Sequence, residues 1–117
     1  MANVEALWSV RFGQDDHDPS EYEGGALTFA AGRLFGGDSA YAYQGEYALD
    51  GGRISGKMTI ILHNPGPSYA NLYGAQEPQF ALTFSGDRLD ENRIEGWLHR
   101  DGHPDARLLL RRLADLP

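Results

Sequence analysis

Cysteine is absent from all 117 residues of the sequence. The chain can therefore form neither a disulfide framework nor a thiolate metal site, and nothing in it requires an oxidising compartment. Stability must come from packing. A domain of this length buries roughly two-thirds of the surface that its unfolded chain exposes, which is enough for one core. We predict a single domain over residues 1–117.

Basic residues are scarce. Ten Lys and Arg stand against seventeen Asp and Glu, which gives a formal net charge of −7. Binding to a nucleic-acid backbone needs clustered basic side chains, because it is driven by counterion release. The charge balance therefore argues against nucleic acid as a direct partner.

Long apolar runs are also missing. No stretch approaches the roughly 18 apolar residues of a transmembrane helix, and residues 1–10 lack the basic and apolar regions of a signal peptide. We expect a cytoplasmic protein that does not associate with membranes.

The clearest pattern present is a β-hairpin within residues 36–64. Apolar and polar residues alternate on both sides of residues 50–52, Asp-Gly-Gly, which tolerate positive φ. A related sequence occurs at residues 49–58 and again at 89–98: Leu-Asp, two turn residues, Arg-Ile, any residue, Gly. The chain is therefore predicted to use one hairpin design twice.

Alternation elsewhere predicts further strands. They fall at residues 5–12, 24–30, 34–35, 79–85 and 93–99. The three consecutive leucines within residues 106–113 fit both a strand and a short helix, and the context favours a strand. About eight short strands with regular turn signals predict an antiparallel sandwich or barrel.

Two segments are predicted as irregular connections. Residues 13–25 are acidic and have no sustained period, which is typical of a long loop. Residues 64–78 contain Pro65, Pro67 and Pro78, so they cannot form a strand. We expect this second segment to be a mobile flap with at most one irregular helical turn.

Large apolar side chains share the predicted inner faces of the strands. They are consistent with ordinary core packing and, alternatively, with the wall of a pocket that holds a small apolar molecule. Gly45 and Gly56 lie in the middle of strands, which indicates a sharp bend, a bulge or close approach of another side chain. The candidate interior residues are Trp8, Phe12, Phe29, Tyr41, Tyr43, Tyr47, Met58, Phe80 and Phe84.

Three segments, ALWSVRF, GGALTF and GGDSAYAYQGEY, follow one another in the first half of the chain. In this order they resemble the GrlR family, negative regulators of type III secretion in enteric bacteria, over about residues 7–64. The family's acidic turn, which is linked to partner binding, corresponds here to residues 48–51 with a single acid. The motif residues are Gly36, Gly37, Asp38, Tyr43, Gln44 and Gly45.

The resemblance implies an all-β, lipocalin-like barrel of eight antiparallel strands with little helix. It also implies a homodimer with an apolar interior and no catalytic activity, which sequesters a partner such as a transcription activator. Our leading hypothesis is this non-enzymatic regulator. The alternative is a carrier or sensor of an apolar small molecule held inside the barrel.

Residues with catalytic or metal-binding chemistry form no recognisable pattern. His99 and His103 have a helical spacing, but Gly102 and Pro104 predict a turn between and after them. We therefore expect no metal and no cofactor. A hydrolase or isomerase that uses Asp38, Tyr43 and His63 is the remaining catalytic alternative.

Overall fold

The structure, a computed structural model, describes residues 3–64 and 77–117. Its eight strands are β1 Ala6–Gln14, β2 Glu23–Ala30, β3 Arg33–Gly37, β4 Tyr41–Asp50, β5 Arg53–Leu62, β6 Gln79–Asp90, β7 Arg93–His99 and β8 Ala106–Ala114. Each strand pairs antiparallel with the next, and β8 pairs with β1, so the sheet closes into a barrel. The lipocalin-like barrel is confirmed, and the sandwich is ruled out. Closure leaves no exposed sheet edge.

The predicted long loop at residues 13–25 is wrong in its extent. β1 continues to Gln14, and β2 already begins at Glu23, which pairs with Phe12. The remaining connection contains the 3-10 helix Pro19–Glu21. Asp18 caps this helix by accepting a 2.9 Å hydrogen bond from the amide of Ser20.

Two further segments had uncertain structure in the sequence: residues 106–113 and the predicted flap. Residues 106–113 lie within β8, as favoured, and pair with β1 on one side and β7 on the other. Most of the predicted flap, residues 65–76, lies outside the described residues. Among the residues that are described, no helix has the length and apolar character needed to cross a membrane.

The two ends of the barrel differ in how the strands are connected. At one end, which we name the tight-turn end, two-residue connections join β2 to β3, β4 to β5 and β6 to β7. At the opposite end, named the loop end, longer connections follow β1, β3, β5 and β7. Access to the interior is therefore expected at the loop end.

The tight-turn end is covered by the segment before β1. Val4 is buried, and its carbonyl oxygen accepts a 2.8 Å hydrogen bond from the indole nitrogen of Trp8. Arg112 on β8 donates to the carbonyl oxygen of Asn3 at 3.0 Å, and its guanidinium lies 6.0 Å from the Trp8 ring centre. These contacts hold the segment across the end of the core.

Two mid-strand glycines allow neighbouring strands to approach closely; the predicted close side chain is found at Gly56, whereas Gly45 faces backbone atoms. A Cβ atom on Gly45 would collide with the carbonyl oxygen of Lys57 and lie 2.9 Å from the Cα atom of Met58. A Cβ atom on Gly56 would collide with the carbonyl oxygen of Glu46 and lie 2.7 Å from the ring of Phe84. The close contact between β4 and β5 therefore requires glycine at both positions.

Candidate functional site

A partly open pocket inside the barrel reaches from its middle to the loop end. Its volume is about 50 Å³, and almost all of its lining is apolar. Engineered apolar cavities of about 150 Å³ hold a benzene molecule, so this one has room for only a few carbon atoms. The lining residues are Phe12, Glu23, Leu27, Asp38, Tyr41, Tyr43, Met58, Ile60, Phe80, Leu82 and Leu98.

The structure divides the nine candidate interior residues into two groups. The pocket is lined by Phe12, Tyr41, Tyr43, Met58 and Phe80. The core outside the pocket lining contains Trp8, Phe29, Tyr47 and Phe84. Phe29 packs edge-on against Trp8 at 6.2 Å and against Tyr47 at 4.9 Å between ring centres. That second group therefore fills volume that a ligand would otherwise occupy.

The six motif residues fall in the β3–β4 region, but only two of them line the pocket. Those two are Asp38 and Tyr43. Gly36 pairs with Tyr43 and is too close to β2 for a side chain, while Gln44 is exposed on the outer face. Gly37 and Gly45 pair with neighbouring strands. The motif therefore combines strand contacts with one polar position at the pocket rim.

Asp38 is fixed in the turn between β3 and β4. Its Oδ1 atom accepts hydrogen bonds from the backbone amides of Ala40 at 2.8 Å and Tyr41 at 2.7 Å. Its Oδ2 atom accepts a hydrogen bond from the hydroxyl of Tyr43. Asp commonly stabilises a turn by bonding to amides two and three residues later. The local sequence thus holds this carboxylate at the rim of the pocket.

Tyr43 is kept in its protonated form. Burial raises the pKa of its phenol far above the ordinary value, and the hydrogen bond to Asp38 raises it further. The hydroxyl therefore acts as a fixed donor to Asp38 and cannot serve as a base near neutral pH.

Glu23, at the start of β2, is the second acidic residue of the rim. Although Glu23 is exposed overall, partial desolvation of its carboxyl raises the pKa, and the nearby charge of Asp38 raises it further. Within residues 3–64 and 77–117, no Lys, Arg or His side chain forms an ion pair with either carboxyl. The pocket rim therefore carries two acids without a basic partner in the described chain.

Tyr41 contributes the second unusual polar group of the pocket. Its side chain is 5% exposed, and its ring packs edge-on against Phe80 at 6.0 Å. Its hydroxyl oxygen is buried and has no hydrogen-bond partner in the described part of the chain. Nearly all buried polar groups in proteins are paired, so this hydroxyl is an exception within the described part of the chain.

Asp38, Tyr43 and His63 do come together, but not as a proton relay. The Nε2 atom of His63 lies 3.0 Å from the backbone carbonyl oxygen of Asp38. This hydrogen bond is therefore to the backbone of Asp38 and does not involve its carboxylate. The carboxylate is occupied by the turn amides and by Tyr43. Across the described ranges, no group of three or more His, Cys, Asp or Glu residues is arranged to hold a metal ion.

Sequence reasoning missed Glu23, because the acidic composition of its neighbours led to a loop assignment. The alternation of inward and outward residues in β2 could have identified it. Glu23 is separated by an even number of residues from Leu27 and Phe29, which are buried in the core. Extending this period backward places Glu23 on the inner face.

A second concave surface lies on the outside of the barrel, across β3, β4, β5 and β6. Polar and apolar atoms contribute to it in similar shares, and Phe35, one of its lining residues, is 53% exposed. Its other apolar members are Leu34, Ala42, Met58, Ile61 and Ala81.

The chain matches no protein-family model, and no curated protein is significantly similar to it. The GrlR-like resemblance therefore stays a prediction.

Proposed function

We propose that this protein is a non-enzymatic binding protein that holds a small molecule in the loop-end pocket. The observation that carries the proposal is the partly open, almost wholly apolar pocket at the loop end, with Asp38 and Glu23 among its lining residues. Small-molecule sites commonly combine an apolar lining with a few polar groups that orient the ligand.

The size of the pocket limits the ligand and its affinity. The best small ligands gain about 1.5 kcal/mol per non-hydrogen atom, so a five-atom ligand cannot exceed about 7.5 kcal/mol. This corresponds to a dissociation constant on the order of micromolar. The pocket is therefore suited to sensing or carrying a compact molecule at micromolar to millimolar concentration.

Nuclear magnetic resonance titration with n-butanol tests this function. Butanol should shift the amide signals of residues lining the pocket and saturate. Leu82→Phe enlarges a buried side chain of the lining and should remove those shifts, whereas Leu113→Phe, at an exposed position, should leave them unchanged. Dispersed spectra of both variants confirm that they fold. Absence of pocket shifts in the wild type, or equal shifts in both variants, would overturn the function.

A second candidate is a regulator that sequesters a protein partner such as a transcription activator and acts as a homodimer, as the GrlR-like resemblance implies. The exposed Phe35 in the concave outer surface supports it, because aromatic residues are enriched in protein interfaces. Sedimentation of the wild type and Phe35→Glu provides the test. If the wild type is a dimer and the variant is a monomer, the result supports this candidate. If the wild type is a monomer, the result contradicts the predicted homodimer.

We place either activity in the cytoplasm, since a chain without cysteine does not depend on an oxidising compartment.

A further inference from the structure

We propose that the outer face of β1, β7 and β8 docks a short acidic segment of a protein partner. We name this surface the basic face and define it by the outward residues Arg11, Arg93, Leu109, Arg111 and Leu113, which line one concave surface. The inference rests on the second candidate function, the binding of a protein partner, and adds the surface and the chemistry of that partner. It involves neither the loop-end pocket nor Phe35.

Positive charge is concentrated on this face of a chain whose formal net charge is −7. Inward and outward residues alternate along all three strands, and Arg11, Arg93, Arg107 and Arg111 are outward. Glu95 is the one acidic residue within β1, β7 and β8, which the structure describes throughout. The basic face therefore differs in sign from the chain as a whole.

The strand register brings three of these arginines together. Arg93 on β7 lies directly opposite Arg111 on β8. Arg111 lies opposite Ser9 on β1, so that Arg11 is its diagonal neighbour. Like charges on directly opposite residues destabilise a sheet. An anion bound beside Arg93 and Arg111 would reduce this repulsion.

The acids near the face are already paired with other arginines. Asp90 lies 3.0 Å from Arg93, and Glu95 lies 3.4 Å from Arg107. The guanidinium of Arg107 also lies 4.6 Å from the ring centre of Trp97. These contacts compensate the two outer arginines and leave the middle of the face positive.

Arg111 and Arg11 are the arginines whose charge is left without an opposite charge. Arg111 is exposed and forms no ion pair within residues 3–64 and 77–117. Arg11 is exposed as well and donates a hydrogen bond to the backbone carbonyl oxygen of Pro19, which carries no net charge. A carboxylate is the natural partner of such a guanidinium, because the two groups form charge-assisted, often bidentate hydrogen bonds.

Apolar residues flank Arg111 on β8. Leu109, Arg111 and Leu113 occupy successive outward positions, and Leu113 is 56% exposed. Successive residues on one side of a strand are about 6.6 Å apart. An extended partner segment with the pattern Leu-x-Glu-x-Leu repeats this spacing, so it can place its carboxylate at Arg111 and a leucine at each neighbour.

The surrounding charge favours a short segment over a nucleic acid or an anionic membrane. Electrostatic interactions at physiological salt are screened beyond about 8 Å, so a short segment interacts mainly with the basic face. A larger polyanion would also approach Asp15, Asp16, Asp18 and Glu21, which are exposed in the connection after β1. A phosphate backbone, moreover, offers no apolar group to Leu113.

Four synthetic peptides test the proposal by nuclear magnetic resonance titration of the full chain. The first is Leu-Ser-Glu-Ser-Leu-Ser-Glu-Ser-Leu, and the others replace its Glu by Gln, its Glu by Lys, or its Leu by Ser. We expect the first peptide to shift amide signals of β1, β7 and β8. It should bind about five-fold more tightly than the Gln peptide, which corresponds to the roughly 1 kcal/mol of an exposed ion pair. The Lys peptide should not bind, and the Ser peptide should bind more weakly than the first.

Matched variants locate the interaction. Arg111→Gln should remove most of the preference for Glu over Gln. Arg33→Gln removes the same charge from an exposed position on β3 that also forms no ion pair in the described ranges, and it should retain the preference. Leu113→Ser should weaken the Glu and Gln peptides alike. Dispersed spectra confirm that each variant folds.

Several results would overturn the inference. Equal affinity for the Glu and Gln peptides would remove the acidic partner, and equal effects of Arg111→Gln and Arg33→Gln would show that net charge alone sets the preference. Tighter, Arg111-dependent binding of a short DNA duplex, or of vesicles containing phosphatidylserine, would assign the face to a different class of partner. An oligomer that Arg111→Gln dissociates and Arg33→Gln does not would assign it to a second copy of the chain.

Failure of the inference is distinguishable from failure of the functions proposed above. If no peptide binds the basic face, the inference falls, while the sedimentation test with Phe35→Glu and the butanol titration keep their own outcomes. If those two tests fail and the Glu peptide still binds through Arg111, the docking of an acidic segment stands.

Discussion

The hydroxyl of Tyr43 donates a hydrogen bond to the carboxylate of Asp38, five residues earlier in the chain. The two residues belong to β4 and to the turn that precedes it, so the bond links the pocket wall to its rim. Tyr41, two residues before Tyr43 on the same face, has a buried hydroxyl without a partner in the described chain. Neighbouring tyrosines thus stand in opposite hydrogen-bonding situations.

Removing these two hydroxyls should have opposite effects on stability. Tyr43→Phe deletes a hydrogen bond to a charged group and should lower the free energy of unfolding by about 1.5–3 kcal/mol. Tyr41→Phe deletes an unpaired buried hydroxyl and should be neutral or raise it by about 1 kcal/mol. Urea unfolding of both variants provides the measurement, with each serving as the control for the other. Equal losses would contradict the hydrogen-bond assignment.

A side chain at Gly45 should destabilise the barrel through backbone collision. Gly45→Val is expected to lower the free energy of unfolding by roughly 1–3 kcal/mol, because its Cβ atom would collide with the carbonyl oxygen of Lys57. Gly52→Ala is the control, since a Cβ atom there meets nothing within 4 Å and its φ is not positive. Thermal melting of Gly45→Val at the wild-type temperature would show that β4 and β5 are not in close contact.

Glu23 should make stability depend on pH. Its pKa is raised in the folded state above the ordinary value of 4.5, so the folded state favours the protonated carboxyl. The contribution of Glu23 to the free energy of unfolding is therefore most favourable below pH 4.5, and it is lost as pH rises through the folded-state pKa. Glu23→Gln should melt at a higher temperature than the wild type at pH 7, with little difference at about pH 3.5.

Calorimetry at the two pH values measures this effect, and Asp16→Asn controls for the change in net charge. A difference of the same size at both pH values would show that the gain does not come from ionisation of Glu23.

His99 should titrate above its ordinary pKa of 6.5. Its Nδ1 atom lies 2.8 Å from Asp105, and this hydrogen bond is the main cause that raises the pKa. The stabilising pair is present below pH 6.5 and is lost as pH rises through the folded-state pKa. Asp105→Asn should lower the midpoint in a histidine proton titration by more than Asp101→Asn, whose contact is longer at 3.4 Å. The reverse order would contradict the pairing.

Local sequence was sufficient for the inner faces of the strands. Ile54, Met58 and Ile60 recur every second or fourth residue, and all are buried as the alternation predicts. A strand that buries one face leaves this period directly in the sequence. The same rule placed Tyr41 and Tyr43 inside the barrel.

Long-range pairing determined what local sequence left open. Residues 106–113 became a strand because β1 and β7 pair with both of its edges, and no local period specifies this. The register of β1 with β2 similarly extended β2 to Glu23. The unpartnered hydroxyl of Tyr41 depends on the three-dimensional surroundings of one atom, which strand alternation does not describe.

A crystal structure of the protein soaked with n-butanol tests the central claim most directly. We predict density for the alkyl chain in the loop-end pocket, among Met58, Leu82 and the other apolar lining residues. A pocket that contains only water, or no density, at a saturating concentration of the alcohol would contradict the account.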